Sequence, residues 1–213
     1  MPLWKNLSFF KSNYYHTIIE LARHDPSSVT PMRALWYNAM YQTPLEEVRC
    51  VILGQDPYPT RGHACGLAFS VFPNVSPLPP SLRNIFIEYS SDLGYPKPPN
   101  GSLLHWARNG VFLWNTVLTT EVGKPRAHHD WGWQRLTTEV IQKISIEREG
   151  PVVFLLWGKD AQEYESLIDE RKHNVIKASH PSPLSAHKGF NGHRPFSRTN
   201  EILGKDNQIN WRL

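Results

Sequence analysis

Apolar positions along the chain follow two rhythms. Four short runs rich in β-branched or aromatic residues stand out: Arg49–Leu53 (RCVIL), Val111–Trp114 (VFLW), Val152–Trp157 (VVFLLW) and Asn174–Ala178 (NVIKA). They are too short for helices and are bounded by polar or turn-forming residues, so they read as buried strands; Lys177 makes the fourth the weakest. Between them lie stretches with helical spacing, Pro80–Leu93, Leu103–Asn109, Trp133–Ile146 and Asp160–Glu170. Two more helices precede the first run, over 13–24 and 31–41. Thr30 offers an N-cap to the second and Pro31 a first helical position. Strands alternating with helices predict an α/β fold. The expectation is one domain over 1–213, in three α/β/α layers around a central, mostly parallel four-stranded sheet.

The residues that follow each run carry the first chemical signal. Gly54, Gln55 and Asp56 follow the first, Asn115 the second, Gly158 and Lys159 the third, Ser179 and His180 the fourth. In open α/β sheets, ligands bind outside the carboxyl ends of the strands. A carboxylate, an amide, a tight turn and an imidazole are therefore expected on one rim. That predicts a polar site without naming its ligand.

Composition adds bounds. With 213 residues, 40% hydrophobic and 12% aromatic, the chain can bury a substantial core, with aromatics left over for stacking. Its formal charge of +4 suits an anionic polymer but is shared by many proteins that bind none. Cys50 and Cys65 are the only cysteines and lack metal-ligand spacing, so no metal and no cofactor is expected, and the thiols read as reduced and buried. The opening MPLWKNLSFFKSNYY lacks the continuous apolar core of a signal peptide, and no stretch approaches a membrane span. The expected setting is the cytoplasm (or a nucleus, for a eukaryotic or viral source), with no membrane partner.

Several long motifs resemble family 1 uracil-DNA glycosylases, in that family's order. Gly54–Val71 (GQDPYPTRGHACGLAFSV) resembles the water-activating loop, and Pro77–Phe86 (PLPPSLRNIF) the proline-rich DNA-compressing loop. Leu113–Thr120 (LWNTVLTT) is similar to the uracil-reading strand end, and His180–Leu203 (HPSPLSAHKGFNGHRPFSRTNEIL) to the intercalation loop and closing helix. The likeness spans about residues 43–203, and such motifs in series are specific.

The resemblance implies a monofunctional, metal-independent hydrolase that flips uracil from DNA and cuts its N-glycosidic bond. By it, Asp56 stabilises the cationic sugar and orients water, and His180 donates to uracil O2 as a neutral imidazole. Asn115 pairs with O4 and N3–H, Tyr58 blocks the thymine methyl and Phe69 stacks on the base, while the Gln55 and Phe69 amides complete the pocket. Leu184 wedges into the vacated stack. Pro79, Pro80, Ser81, Gly158, Lys159, Ser182 and Ser185 grip the DNA, with Lys188, Arg194 and Arg198 adding charge. The implied partners are uracil-containing DNA and DNA-mimicking inhibitor proteins, met by a monomer.

Four positions depart from the family's commonest pattern: Pro59, Cys65, Trp114 and Lys159. Cys65 is expected only to pack, Trp114 to alter the pocket floor, and Lys159 either to replace a phosphate-binding hydroxyl or to be a solvated lysine. Rival readings are a non-catalytic DNA-binding scaffold, a glycosylase of broader scope and a small-molecule α/β enzyme. Asp56, Asn115 and His180 together speak against the first, and Tyr58 with Asn115 against the second. Missing phosphate-binding glycine loops speak against the third.

Overall fold

The computed structural model describes residues 3–213, so the first two residues of the opening segment lie outside it. The elements in chain order are α1 (Asn13–His24), β1 (Val29–Thr30), α2 (Asn38–Gln42), β2 (Cys50–Gly54), α3 (Pro80–Leu93), α4 (Leu104–Arg108) and β3 (Val111–Asn115). Then follow β4 (Thr120–Glu121), α5 (Trp133–Glu147), β5 (Val153–Trp157), α6 (Lys159–Gln162), β6 (Asn174–Ala178) and α7 (Pro195–Leu203), with short 3-10 turns between. Four strands form one sheet in the order β3-β2-β5-β6, every pair parallel. β1 and β4 make a separate antiparallel pair.

Register explains why the sheet is covered on both sides. Cys50, Val111 and Val153 are cross-strand partners, and so are Val51, Phe112 and Phe154. Successive side chains alternate faces, so the two sets point opposite ways. On the Cys50 face lies α7, whose Thr199 side chain adjoins the Cys50 thiol. On the other lies α5, whose Thr137 hydroxyl accepts from Trp114 Nε1 at 3.0 Å. The fold is thus an α/β structure in three layers. β2, β3 and β5 are buried at every position, as expected of strands covered on both faces. Lys177 is exposed because β6 is an edge strand, where a lysine discourages further pairing; its ammonium meets Glu165 at 2.6 Å.

Two expected helices come out differently. Residues 31–41 do not form one helix: Thr30 pairs with Thr120 across β1 and β4, a 3-10 turn spans Arg33–Leu35, and α2 starts only at Asn38. Tertiary contacts override the local cap signal here, since Trp36 Nε1 donates to the Pro31 carbonyl and Asn38 to that of Cys65. The Asp160–Glu170 stretch is also broken, with α6 ending at Gln162 and a 3-10 turn at Glu165–Leu167. Gln162 turns its amide back onto the Leu156 and Ala178 carbonyls, and Asp169 N–H is taken by the Ser145 hydroxyl. The tryptophans belong almost wholly to the core: Trp4, Trp106, Trp114, Trp133, Trp157 and Trp211 are fully buried.

Candidate active site at the strand ends

The carboxyl ends of β2, β3 and β6 meet at a cavity of about 140 Å³. Gln55, Asp56, Tyr58, Phe69, Ser81, Asn115 and His180 all line it. Ordinary small-molecule pockets run to roughly 300–1,000 Å³, so this one suits a single small planar ring rather than a dinucleotide.

Each wall has a structural cause. Gly54 ends β2 beside Asn115, and a Cβ there would lie 2.4 Å from Asn115 Oδ1 and 3.3 Å from the Phe69 ring. Only glycine lets the amide and the ring approach this closely. Phe69 takes a φ of 62°, an outlier for a bulky residue and a local strain concentrated at the cavity. Its carbonyl accepts from the Tyr58 hydroxyl at 3.0 Å, which fixes the tyrosine ring against the pocket. Neither the Gln55 nor the Phe69 N–H has an acceptor among the described residues, which leaves both available to a ligand.

The two titratable groups are tuned in opposite directions. Burial raises the Asp56 pKa above its ordinary value, opposed chiefly by the Arg126 N–H, which donates to Oδ2 at 2.7 Å. Burial lowers the His180 pKa. Ser182 N–H donates to His180 Nδ1 at 3.0 Å. A neutral ring that accepts at Nδ1 carries its proton on Nε2, so His180 is set as a neutral donor. Gly158 (φ 95°) makes the tight turn after β5, and a Cβ there would meet His180 Cβ at 2.9 Å. The site thus pairs a partly buried carboxylate with a neutral hydrogen-bond donor, as bond cleavage that builds charge at two ends requires.

The rim is built differently. Pro79 and Pro80 start α3, and a groove beside the cavity runs past Tyr58, Pro79, Pro80, Ser81 and Pro183. Leu184 is 83% exposed at the tip of the loop after β6. The Ser182 and Ser185 hydroxyls are 2.9 Å apart and Ser185 donates to the His180 carbonyl, so both now brace the loop. Lys159 is exposed and Lys188 with it, while Arg194 leans on Asp92 and Arg198 on His193. Trp114 does not reach the pocket floor: its side chain points to the α5 face, opposite Asn115, and stacks on Phe112. Cys65 is buried, as expected of a packing residue.

Sequence reading missed the α3 face that holds this loop. Asn84 donates to the Pro181 carbonyl, Glu88 accepts from Gly192 and Arg194 N–H, and Asp92 from Phe196 and Ser197 N–H. Asn84, Glu88 and Asp92 recur at every fourth position of α3 and so share one face, which was the available signal. Among the described residues no group of three or more His, Cys, Asp or Glu is placed to hold a metal ion.

Fold and site together define an α/β protein with a small strand-end pocket, flanked by a groove and an exposed leucine. Residues 40–204 match the family model described as the uracil DNA glycosylase superfamily, and the chain belongs to that family. A uracil-DNA glycosylase of Bacillus velezensis is 48% identical over 206 residues, covering 95% of this chain and 90% of its own. One from Halalkalibacterium halodurans is 47% identical over 208 residues, covering 96% and 92%. The crystal structure of mimivirus uracil-DNA glycosylase superposes with a TM-score of 0.89 at 28% identity, covering 100% of this chain and 87% of that one. Its Y322F form, solved in complex with UGI, gives 0.88 at 28% identity over 96% and 85%.

Proposed function

We propose that the chain flips uracil out of DNA and hydrolyses its N-glycosidic bond, with Asp56 and His180 as the catalytic pair. The chain is a hydrolase of uracil in DNA, and its reaction is the excision step of DNA repair. Water adds its oxygen to C1′ while its proton passes toward Asp56. The C1′–N1 electron pair departs on uracil, leaving free base and an abasic site. The Asp56 carboxylate opposes positive charge on the sugar, and His180 Nε2–H stabilises negative charge at uracil O2. The observation that carries this reading is the neutral, Nε2-protonated His180 facing the same small cavity as Asp56.

Asn115 presents a donor and an acceptor, which suit O4 and N3–H of uracil and mispair with cytosine. Tyr58 stands against a methyl at C5, and Phe69 stacks on the ring. Leu184 fills the stack when the base leaves, and free N–H groups at the start of α3, with Ser81, receive a phosphate. Gly158, Lys159, Ser182 and Ser185 hold the strand on the other side. The same DNA-facing surface would take a DNA-mimicking inhibitor protein, a reading supported by the mimivirus relative solved with UGI. The cavity is closed by the described residues of a single chain, without a gap that a second copy must fill, and we read the protein as acting as a monomer. Two free, buried cysteines fit a reducing cytoplasm or nucleus.

The test is single-turnover excision from a uracil oligonucleotide in excess EDTA. Release of uracil should persist, and Asp56→Asn should lose about 10²–10³-fold in rate while still binding DNA. Abolition by chelator, or full activity in the variant, overturns the mechanism.

A further inference from the structure

Asp56 is held by a residue from outside the strand ends. Arg126 lies between β4 and α5 with a φ of 64°, a region arginine seldom enters. That conformation aims its N–H at Asp56 Oδ2, 2.7 Å away. Its guanidinium turns the other way and meets Asp160 Oδ2 at 2.9 Å. Asp160 sits in the first turn of α6, two residues past the Gly158 turn that abuts His180. Two contacts in series therefore tie the β2 end to the β5 end. The ion pair is 49% and 28% exposed, so it adds little to stability and its consequence is orientation.

We propose, resting on the uracil-excision reading above, that Arg126 and Asp160 are positioning residues. Their ion pair fixes the Arg126 N–H against Asp56, and their opposite charges offset each other beside the catalytic carboxylate. The charged and titratable groups acting on Asp56 are Arg126, Asp160 and His129. Arg126 and His129 favour its anion; Asp160 opposes it and also favours protonation of His180. Removing one member of the pair thus uncovers the other, with effects of opposite sign.

The experiment is the pH profile of single-turnover uracil excision from about pH 4 to about pH 8 for wild type, Arg126→Asn, Asp160→Asn, the double variant and Arg126→Lys. Asparagine tolerates the left-handed backbone, so Arg126→Asn keeps the loop. Its acid limb should move up by a few tenths of a pH unit, and that of Asp160→Asn down by a similar amount. The double variant should return near the wild-type limb, and Arg126→Lys, which keeps the pair, should retain the wild-type profile. Each single variant should also lose several-fold in plateau rate. Slower singles with an unmoved limb would mean a merely structural role and overturn the proposal, as would limbs displaced in the same direction. If Arg126→Asn does not fold, Asp160→Asn and Arg126→Lys still decide it. Failure of wild type to release uracil would overturn the function itself, so the two failures are distinct.

Discussion

The pocket wall and the DNA rim are built on opposite principles. In the wall the reactive side chains are fixed by the backbone: Asp56 by Arg126 N–H, His180 by Ser182 N–H, Tyr58 by the Phe69 carbonyl. Asn115 is admitted by a glycine at position 54. On the rim, Leu184, Lys159 and Lys188 stand in solvent, and the serines of the loop bond to one another or to its carbonyls. The contrast follows from what each must do. Groups that meet developing charge lower a barrier only if they are already in place. Groups that hold phosphates position DNA without reading its sequence, so they tolerate mobility. Disturbing the wall should therefore cost chemistry, and disturbing the rim should change which DNA is bound and how salt affects it.

The sharpest test of the wall is acid. In the proposed mechanism Asp56 acts as the anion; its pKa lies above the ordinary 3.8, so that contribution is lost as pH falls through the raised value. In the same mechanism His180 acts as the neutral ring; its pKa lies below the ordinary 6.5, so it stays neutral until pH falls beneath that. Excision by wild type should hold level from neutrality down past about 6.5 and then fall away at lower pH. A single-turnover profile already falling above pH 7 would break the assigned tuning.

Next in size is Gly54→Ala. The added methyl would meet Asn115 Oδ1 at 2.4 Å, and that side chain must move out of its reading position. Overpacking of this kind costs about 1–3 kcal/mol; if it falls on the Asn115 reading position, kcat/KM for uracil should drop about 5- to 160-fold. DNA affinity, which the proposed function assigns to the rim, should stay close to wild type. An unchanged kcat/KM would mean that Asn115 does not read the base from where it stands.

Such tests probe a site only half legible in the sequence. The four strands fell within a residue of expectation: β2, β3 and β5 are continuous apolar runs because both their faces are covered, and β6, at the edge, keeps enough of the pattern despite Lys177. Asp56, Asn115 and His180 were legible for the same reason, since the polar residue after each strand has one place to go. Trp114 leaves the pocket floor because adjacent strand residues face opposite sides: with Asn115 turned to the cavity, Trp114 turns to α5. Arg126 left no local signal at all: its N–H acts through backbone conformation, and its partner Asp160 is 34 residues away. Residues 31–41 misled because a cap and a proline are local cues, whereas the contacts of Trp36 and Asn38 are tertiary.

On the rim, Leu184→Ala should spare single-stranded DNA and lower excision from duplex about tenfold. Only a duplex has a paired, stacked base to extrude, at a cost of a few kcal/mol that the wedge helps offset. The 83% exposure of Leu184 leaves it little packing role in the free protein, so thermal stability should hardly change. Equal losses on both substrates would assign the side chain to the wall instead.

The smallest expected effect belongs to Lys159. It opens α6, which has only four residues, so the unfavourable helix dipole that a long helix would impose is slight here. Its ammonium is exposed and forms no ion pair among the described residues, while its neighbour Asp160 is already engaged by Arg126. If, as proposed, this cation one residue past the Gly158 turn meets a phosphate of bound DNA, the screened contact shows itself through counterion release. Lys159→Ser should flatten the plot of log affinity against log salt by roughly 0.7–0.9 and weaken binding about equally across sequences. The excision rate of bound substrate should not change, because no group of the wall is touched. Affinity of both proteins for an uncleavable uracil-DNA analogue across a salt series decides the matter. An unchanged slope returns Lys159 to the solvated surface, and a changed excision rate would mean that wall and rim are coupled through α6.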